Sequence, residues 1–170
     1  AKRNWRWIDA APQQRRNQSL IDILDKTAIF DPAYVTRERI AQMAPHQRAA
    51  LRALQATGER HVGAAFRRVR IEDGEKQIRI EARFDGLAGC IRTAAGGSSR
   101  QIIFDVENGK ARSRLMSARE AARVMGLPDD YILPQGATAA LKLVGDGVAP
   151  PVVSWLAQTV LEPLLAPAQK

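Results

Sequence analysis

The chain is poor in the residues on which several whole classes of protein depend. A single cysteine in 170 residues, Cys90, excludes a disulfide framework, and two separated histidines, His46 and His61, give no metal-ligand spacing. Aromatic residues make up 5% of the chain, and no apolar run approaches the ~18 residues that suggest a membrane span. Neither a Gly-x-x-x-x-Gly-Lys-Ser/Thr loop nor a Gly-x-Gly-x-x-Gly turn occurs, which removes the common phosphate and dinucleotide cradles. The opening stretch AKRNWRWIDAAPQQRRNQ is basic without an apolar core, so it reads as an entry strand or linker and not as a secretory leader. These absences point to an intracellular, metal-free protein of one domain or two small ones, with no membrane partner.

What the chain has in excess is positive charge. Lys plus Arg number 26 against 18 acids, a net charge of +8. Residues 1–59 carry ten bases and six acids, 60–114 twelve and seven, and 115–170 four and five, so the surplus lies in the first two thirds. A basic surface concentrates phosphate and gains free energy by releasing counterions, which makes the middle segment the natural nucleic-acid face. Surplus arginine also serves simply to keep a surface soluble.

Periodicity divides the chain into three. Residues 1–35 lack a strong pattern and read as a connecting arm, with SLIDIL (19–24) as their one short apolar piece. A short turn follows from a Thr36 cap to Met43, then a helix opens at Pro45 and runs to Gly58 with Ala50, Leu51 and Leu54 on its apolar face. Alternation sets in across 62–71 and 77–84, joined by a hairpin signal, with further strands expected at 88–93, 101–107 and 110–115. Asn108-Gly109 marks a tight hairpin between the last two. After Leu115 the period becomes helical: Ser117 and Glu120 form a capping box for a helix ending near Gly126. A second helix is expected over 137–144, stopping at Gly145, and Pro150-Pro151 start a last one that is strongly apolar. The expected fold class is therefore α+β: a connecting arm and helix (1–59), a small twisted antiparallel sheet (60–116) and a helical segment (117–170).

The stretch RLMSAREAARVMGLPDDY (114–131) resembles the ninth sequence block of the bacterial DNA (cytosine-5) methyltransferases, roughly R-x-L-(T/S)-x-R-E-x-A-R-(L/V)-x-G-(F/Y/L)-P-D-x-Y. Arg114, Leu115, Ser117, Arg119, Glu120, Ala122, Arg123, Gly126, Pro128, Asp129 and Tyr131 fit, and Gly145, Asp146, Gly147, Val148 and Val152 fit the tenth block. Residues 86–100 with Asn108-Gly109-Lys110 resemble the glycine-rich loop and hairpin of the same family's target recognition domain, so the resemblance spans roughly 60–165 and is loose before that. The family's catalytic motifs, a Phe-x-Gly-x-Gly turn, a Pro-Cys nucleophile and a Glu-Asn-Val acid, do not occur; Cys90 follows Gly89, and Glu107-Asn108 precedes a glycine at the hairpin. The resemblance thus implies the C-terminal part of such an enzyme, inactive alone and completed by an N-terminal catalytic domain on the same or a companion chain. It also implies double-stranded DNA as partner, S-adenosylmethionine as a cofactor held mainly by the catalytic domain, a cytoplasmic, nucleoid-associated location in a bacterial cell, and a last helix that packs on the catalytic domain or pairs two copies of the isolated chain.

Candidate site residues follow. Glycines let backbone approach a duplex closely, and arginine and glutamine read purines bidentately, so Arg92, Thr93, Gly96, Gly97, Ser98, Ser99, Arg100 and Gln101 are the DNA-contact candidates. A flexible hairpin tip that touches nothing would carry the same residues. Arg83, with Arg67, Arg68, Arg70 and Arg79 on the first hairpin, could meet phosphates or simply face solvent. The family often has a Thr-Leu pair before this loop, its threonine near the target phosphate; Cys90-Ile91 stands there, Cys90 reads as a small buried hydrophobe, and Arg92 or Thr93 takes over the contact. Arg119 and Arg123 share a helix face suited to structural ion pairs. From spacing alone Val144–Val148 is a helix end and tight turn; the resemblance makes Asp146, Gly147 and Val148 a wall of the methyl-donor pocket. A competing reading is a stand-alone regulator, because SAREAARVMGLP also resembles the opening of a helix-turn-helix, although the helix after it would carry only Lys142 as a base.

Overall fold

The computed structural model describes residues 18–72, 74–93 and 100–165. Three helices, α1 (Leu20–Ile23), α2 (Ala33–Ala41) and α3 (Pro45–Ala56), precede strands β1 (His61–Glu72), β2 (Glu75–Arg83), β3 (Ile102–Glu107) and β4 (Lys110–Leu115). Helices α4 (Ala118–Val124), α5 (Ala137–Asp146) and α6 (Pro150–Leu156) follow, the last running through a π-helical turn at Ala157–Leu161 into α7 (Glu162–Leu165). The strands form one small antiparallel sheet, as expected, in the order β2-β1-β3-β4.

Alternating side chains give the sheet two apolar faces, each with its own helical cover. On one face Val62, Ala64 and Ile103 pack with Leu20, Ile23 and Leu24 from the α1 region, Ala121 and Ala122 of α4, and Leu141 and Val144 of α5. On the other, Ala65, Ile80, Ile102, Phe104 and Val106 pack with Met43 and with Leu51 of α3. Burying both faces removes apolar surface from water at about 25 cal/mol per Å², the main source of stability here. Beyond Ala65, β1 pairs only with β2, so the distal half of that hairpin is a two-stranded arm.

Four local expectations need correction. The first 35 residues are more than a connecting arm: α1 supplies Leu20 and Ile23 to the core, and Leu20 N–H donates to Gly86 O at 2.8 Å. Thr36 is no cap; α2 starts three residues earlier after Pro32, and the buried Thr36 hydroxyl lies 2.9 Å from Ser113 Oγ of β4. No strand forms at 88–93, because the Gln101 side chain takes both the N–H and the C=O of Gly89, at 2.8 and 2.9 Å, where a neighbouring strand would. Helix α5 does not stop at Gly145 but continues to Asp146.

The hairpin at Asn108-Gly109 is as expected. Both residues take positive φ, 50° and 74°, the conformation for which such a pair is suited.

Candidate nucleic-acid interface and the turn beneath it

The ninth-block helix is fixed to the sheet by one carboxylate. Ser117 Oγ accepts from Glu120 N–H at 3.1 Å, and Glu120 Oε2 accepts from Ser117 N–H at 2.8 Å, the expected capping box. The same carboxylate accepts two bonds from Arg114 of β4, at 2.7 and 2.5 Å, and one from Asp25 N–H beyond α1 at 2.8 Å. Glu120 is 0% and Arg114 4% exposed, so the bidentate pair is a buried joint between α4, β4 and the α1 region. Burial alone would push the Glu120 carboxyl up, but the Arg114 hydrogen bonds, the two backbone N–H donors and the Arg114 charge outweigh it and hold the group below its ordinary value.

Helix α4 closes with Gly126 N–H on Arg123 O and Leu127 N–H on Ala122 O, both at 2.9 Å. Gly126 has φ 80°, and a Cβ there would meet Pro151 Cγ at 2.5 Å, so this glycine serves both the helix end and the seat of α6. Arg119 donates to the carbonyls of Pro128 and Tyr131, and Arg123 pairs with Asp129 at 2.6 Å and donates to Ile23 O at 3.0 Å. Both arginines hold structure.

The recognition-loop candidates separate into two feet, because Gly96, Gly97, Ser98 and Ser99 lie outside the described residues. On the returning foot, Gln101 is 2% exposed and its amide is spent on Gly89, while Arg100 donates to Met116 O at 2.9 Å. This corrects the reading of Gln101 as a base reader: a two-headed amide facing an unpaired peptide satisfies it instead. The outgoing foot is different. Arg92 is exposed and makes no hydrogen bond or ion pair with another described residue through its side chain. The Thr93 hydroxyl donates to Asp146 Oδ1 at the end of α5. Gly145 makes this possible, since a Cβ there would sit 2.5 Å from Arg92 C and Thr93 N. The foot thus lies directly on the helix carrying the tenth-block residues.

Cys90 is exposed, which corrects its reading as a buried hydrophobe; the space beside it is filled by the Phe66 ring, 1.9 Å from where a Gly89 Cβ would be. Arg83 pairs with Asp85, with one contact at 2.9 Å. Arg68 and Arg70 both pair with Glu81, so these cations of the arm are already partly neutralised. The cleft of about 580 Å³ between the α1 region and the end of α4 is lined by Asp22, Asp25, Lys26, Arg123 and Asp129, away from the loop feet and mixed in sign.

Asp146 and Gly147 are exposed and Val148 is 69% exposed, on an open surface. With one Asp146 oxygen committed to Thr93, this open strip does not form a cradle for S-adenosylmethionine by itself. The helix-turn-helix reading fails on geometry: residues 125–136 separate α4 from α5, where that motif needs a turn of about 3–4 residues.

The site thus consists of a small antiparallel sheet, a capped and ion-paired helix packed on it, and an exposed arginine held against α5. The model of the C-5 cytosine-specific DNA methylase family matches residues 10–162. The chain belongs to that family, and the match reaches well into the first sixty residues, which the sequence motifs touch only loosely. The Type II methyltransferase M.HpaII of Haemophilus parainfluenzae is 30% identical over 93 residues, covering 47% of this chain and 26% of the relative. M.SsoII of Shigella sonnei is 36% identical over 59 residues, 35% of this chain and 16% of the relative. M1.ScrFI of Lactococcus lactis subsp. cremoris is 37% identical over 64 residues, 38% of this chain and 16% of the relative. The aligned parts span about a quarter or less of these relatives' lengths. No solved structure matches significantly.

Proposed function

We propose that this chain is the DNA-recognition portion, with the ninth and tenth motifs, of a cytosine-5 methyltransferase that moves a methyl group from S-adenosylmethionine to C5 of cytosine in duplex DNA. The observation that carries this reading is the family match over residues 10–162, in a sequence lacking the family's Pro-Cys and Phe-x-Gly-x-Gly motifs. The geometry supports it. The exposed, uncommitted Arg92 suits a phosphate contact, and the outer surface of α6 and α7 buries no residue in this chain and suits a catalytic domain. C5 and C6 of cytosine are stacked within the duplex, so the complete enzyme extrudes the base, and this portion clamps DNA while a partner thiolate attacks C6. Asp146, Gly147 and Val148 then complete one wall of the methyl-donor pocket; S-adenosylmethionine supplies the electrophilic methyl group when bound.

The test is reconstitution. The 170-residue chain alone is expected to bind duplex DNA weakly, with affinity falling as salt rises, and to transfer no methyl group from labelled S-adenosylmethionine. Adding a polypeptide that bears the family's missing catalytic motifs is expected to restore transfer. Failure to restore it, together with tight sequence-specific binding by the chain alone, would overturn the reading in favour of a regulator.

A further inference from the structure

We infer that Asp146 is a positioning residue for DNA binding: it holds the Thr93 hydroxyl and thereby presents Arg92 to a DNA phosphate. The inference rests on the proposed function and assigns a second role to the turn read there as part of the cofactor wall.

Three observations converge. Four arginines of the sheet and its flanks are occupied, Arg83 by Asp85, Arg100 by Met116 O, Arg112 by Asp105 and Arg114 by Glu120, whereas Arg67 on β1, exposed beside Arg100, has no such partner among the described residues. Arg92 makes no such bond with a described residue, so its five donors remain available. The two feet of the loop are secured differently. The returning foot is held by a buried glutamine against Gly89, whereas among the described residues the only side-chain hydrogen bond of Arg92 and Thr93 is the one from Thr93 to Asp146. Finally, Gly145 removes the one Cβ that would push the Arg92–Thr93 backbone off α5, so the close approach is built into the sequence.

A carboxylate beside a phosphate-binding arginine is electrostatically unfavourable to DNA, and that makes the inference easy to break. Charge alone predicts tighter binding when Asp146 is lost. A positioning role predicts the opposite, because an untethered Arg92 must be ordered at the moment of binding.

Duplex affinity of the 170-residue chain, titrated at several salt concentrations, separates the two. Arg92→Ala is expected to weaken binding and lower the salt slope by about one counterion. Asp146→Ala and Thr93→Val are each expected to weaken binding roughly three- to tenfold, the range of one net hydrogen bond. The double variant is expected to be no weaker than either single one, as for two residues acting through one contact. Thr93→Ser keeps the donor and Asp146→Asn keeps an acceptor, so both should bind at least as tightly as the unaltered chain. Unchanged or tighter binding by Asp146→Ala, with Arg92→Ala still weakened, would sink the positioning role and leave the proposed function standing. Absence of any duplex binding by the unaltered chain would sink both.

Discussion

The ninth-block helix α4 and the last helix, α6 through α7, are opposites. Each begins with a strong start signal, a capping box at Ser117 for the one and Pro150-Pro151 for the other. Helix α4 is short and mostly polar or small, yet it buries Glu120, Ala121 and Ala122. The segment from Pro150 to Leu165 is rich in large apolar residues and buries none of them. Between these two segments, burial follows placement and not hydrophobicity. A carboxylate with four hydrogen bonds lies at 0% exposure, while Val152, Val153, Leu156, Leu161, Leu164 and Leu165 face outward. An apolar surface of that kind suits the catalytic-domain contact proposed above.

The largest effect expected from this contrast is at Glu120. Replacing it with alanine leaves the Arg114 charge buried without its partner and removes the joint to Asp25 N–H, which is expected to destabilise the fold by about 3–5 kcal/mol. Urea unfolding followed by circular dichroism measures it. A double replacement, Arg114→Met with Glu120→Leu, should recover much of the loss, because an apolar pair of similar volume avoids the desolvation cost. A loss below about 1 kcal/mol for Glu120→Ala, the worth of an exposed pair, would mean that α4 is held by its alanines and not by the ion pair.

A smaller effect should appear with pH. The Glu120 carboxyl is held below its ordinary value of 4.5, so folding stabilises its charged form. Its contribution is fully present above the unfolded-state value and is lost as pH falls through the lower folded-state value. Asp25, half-buried and held low by Thr27, and Asp129, exposed and held low by Arg123, act in the same direction with less weight. Thermal melting should thus be flat from neutral pH to about 5 and fall below that. The acid limb should be shallower in Glu120→Gln, and an unchanged limb would assign the acid sensitivity to these aspartates.

What was legible in the sequence was local. Ser117 and Glu120 are three residues apart, and Asn108-Gly109 is a single dipeptide; for such features the chemistry of neighbours decides the conformation. The other partners of Glu120 are not local: Arg114 belongs to another element and Asp25 is 95 residues away. Nothing near Thr36 announces Ser113, 77 residues on, so a residue whose chemistry suits a cap is instead a buried strap. The loop shows the same limit. Gln101 and Arg92 both carry the donors that DNA recognition uses, and only tertiary placement spends one on Gly89 and leaves the other free. Gly145 shows the same limit: its position suggests a helix stop, but its lack of a Cβ serves the approach of Arg92 and Thr93, a contact across more than 50 residues. The strand at 77–84 forms as expected because an alternation over eight residues reports many contacts at once, whereas the strand expected at 88–93 does not form.

The smallest expected effect on folding sharpens the comparison most. Changing Leu156 and Leu164 together to serine removes exposed apolar area without opening a cavity, so the unfolding free energy of the chain should shift by no more than about 0.5 kcal/mol per site. The same pair should lower any self-association seen by sedimentation and weaken reconstitution with a catalytic partner, since burying a leucine side chain is worth roughly 1.5–3 kcal/mol where a partner covers it. The ratio of these two effects is the informative quantity. At α4 a substitution should damage stability first and association only through it, whereas here association should fail while the fold persists. A loss of stability comparable to that of Glu120→Ala would show that this helix belongs to the core of the chain after all, and that its apolar surface serves no partner.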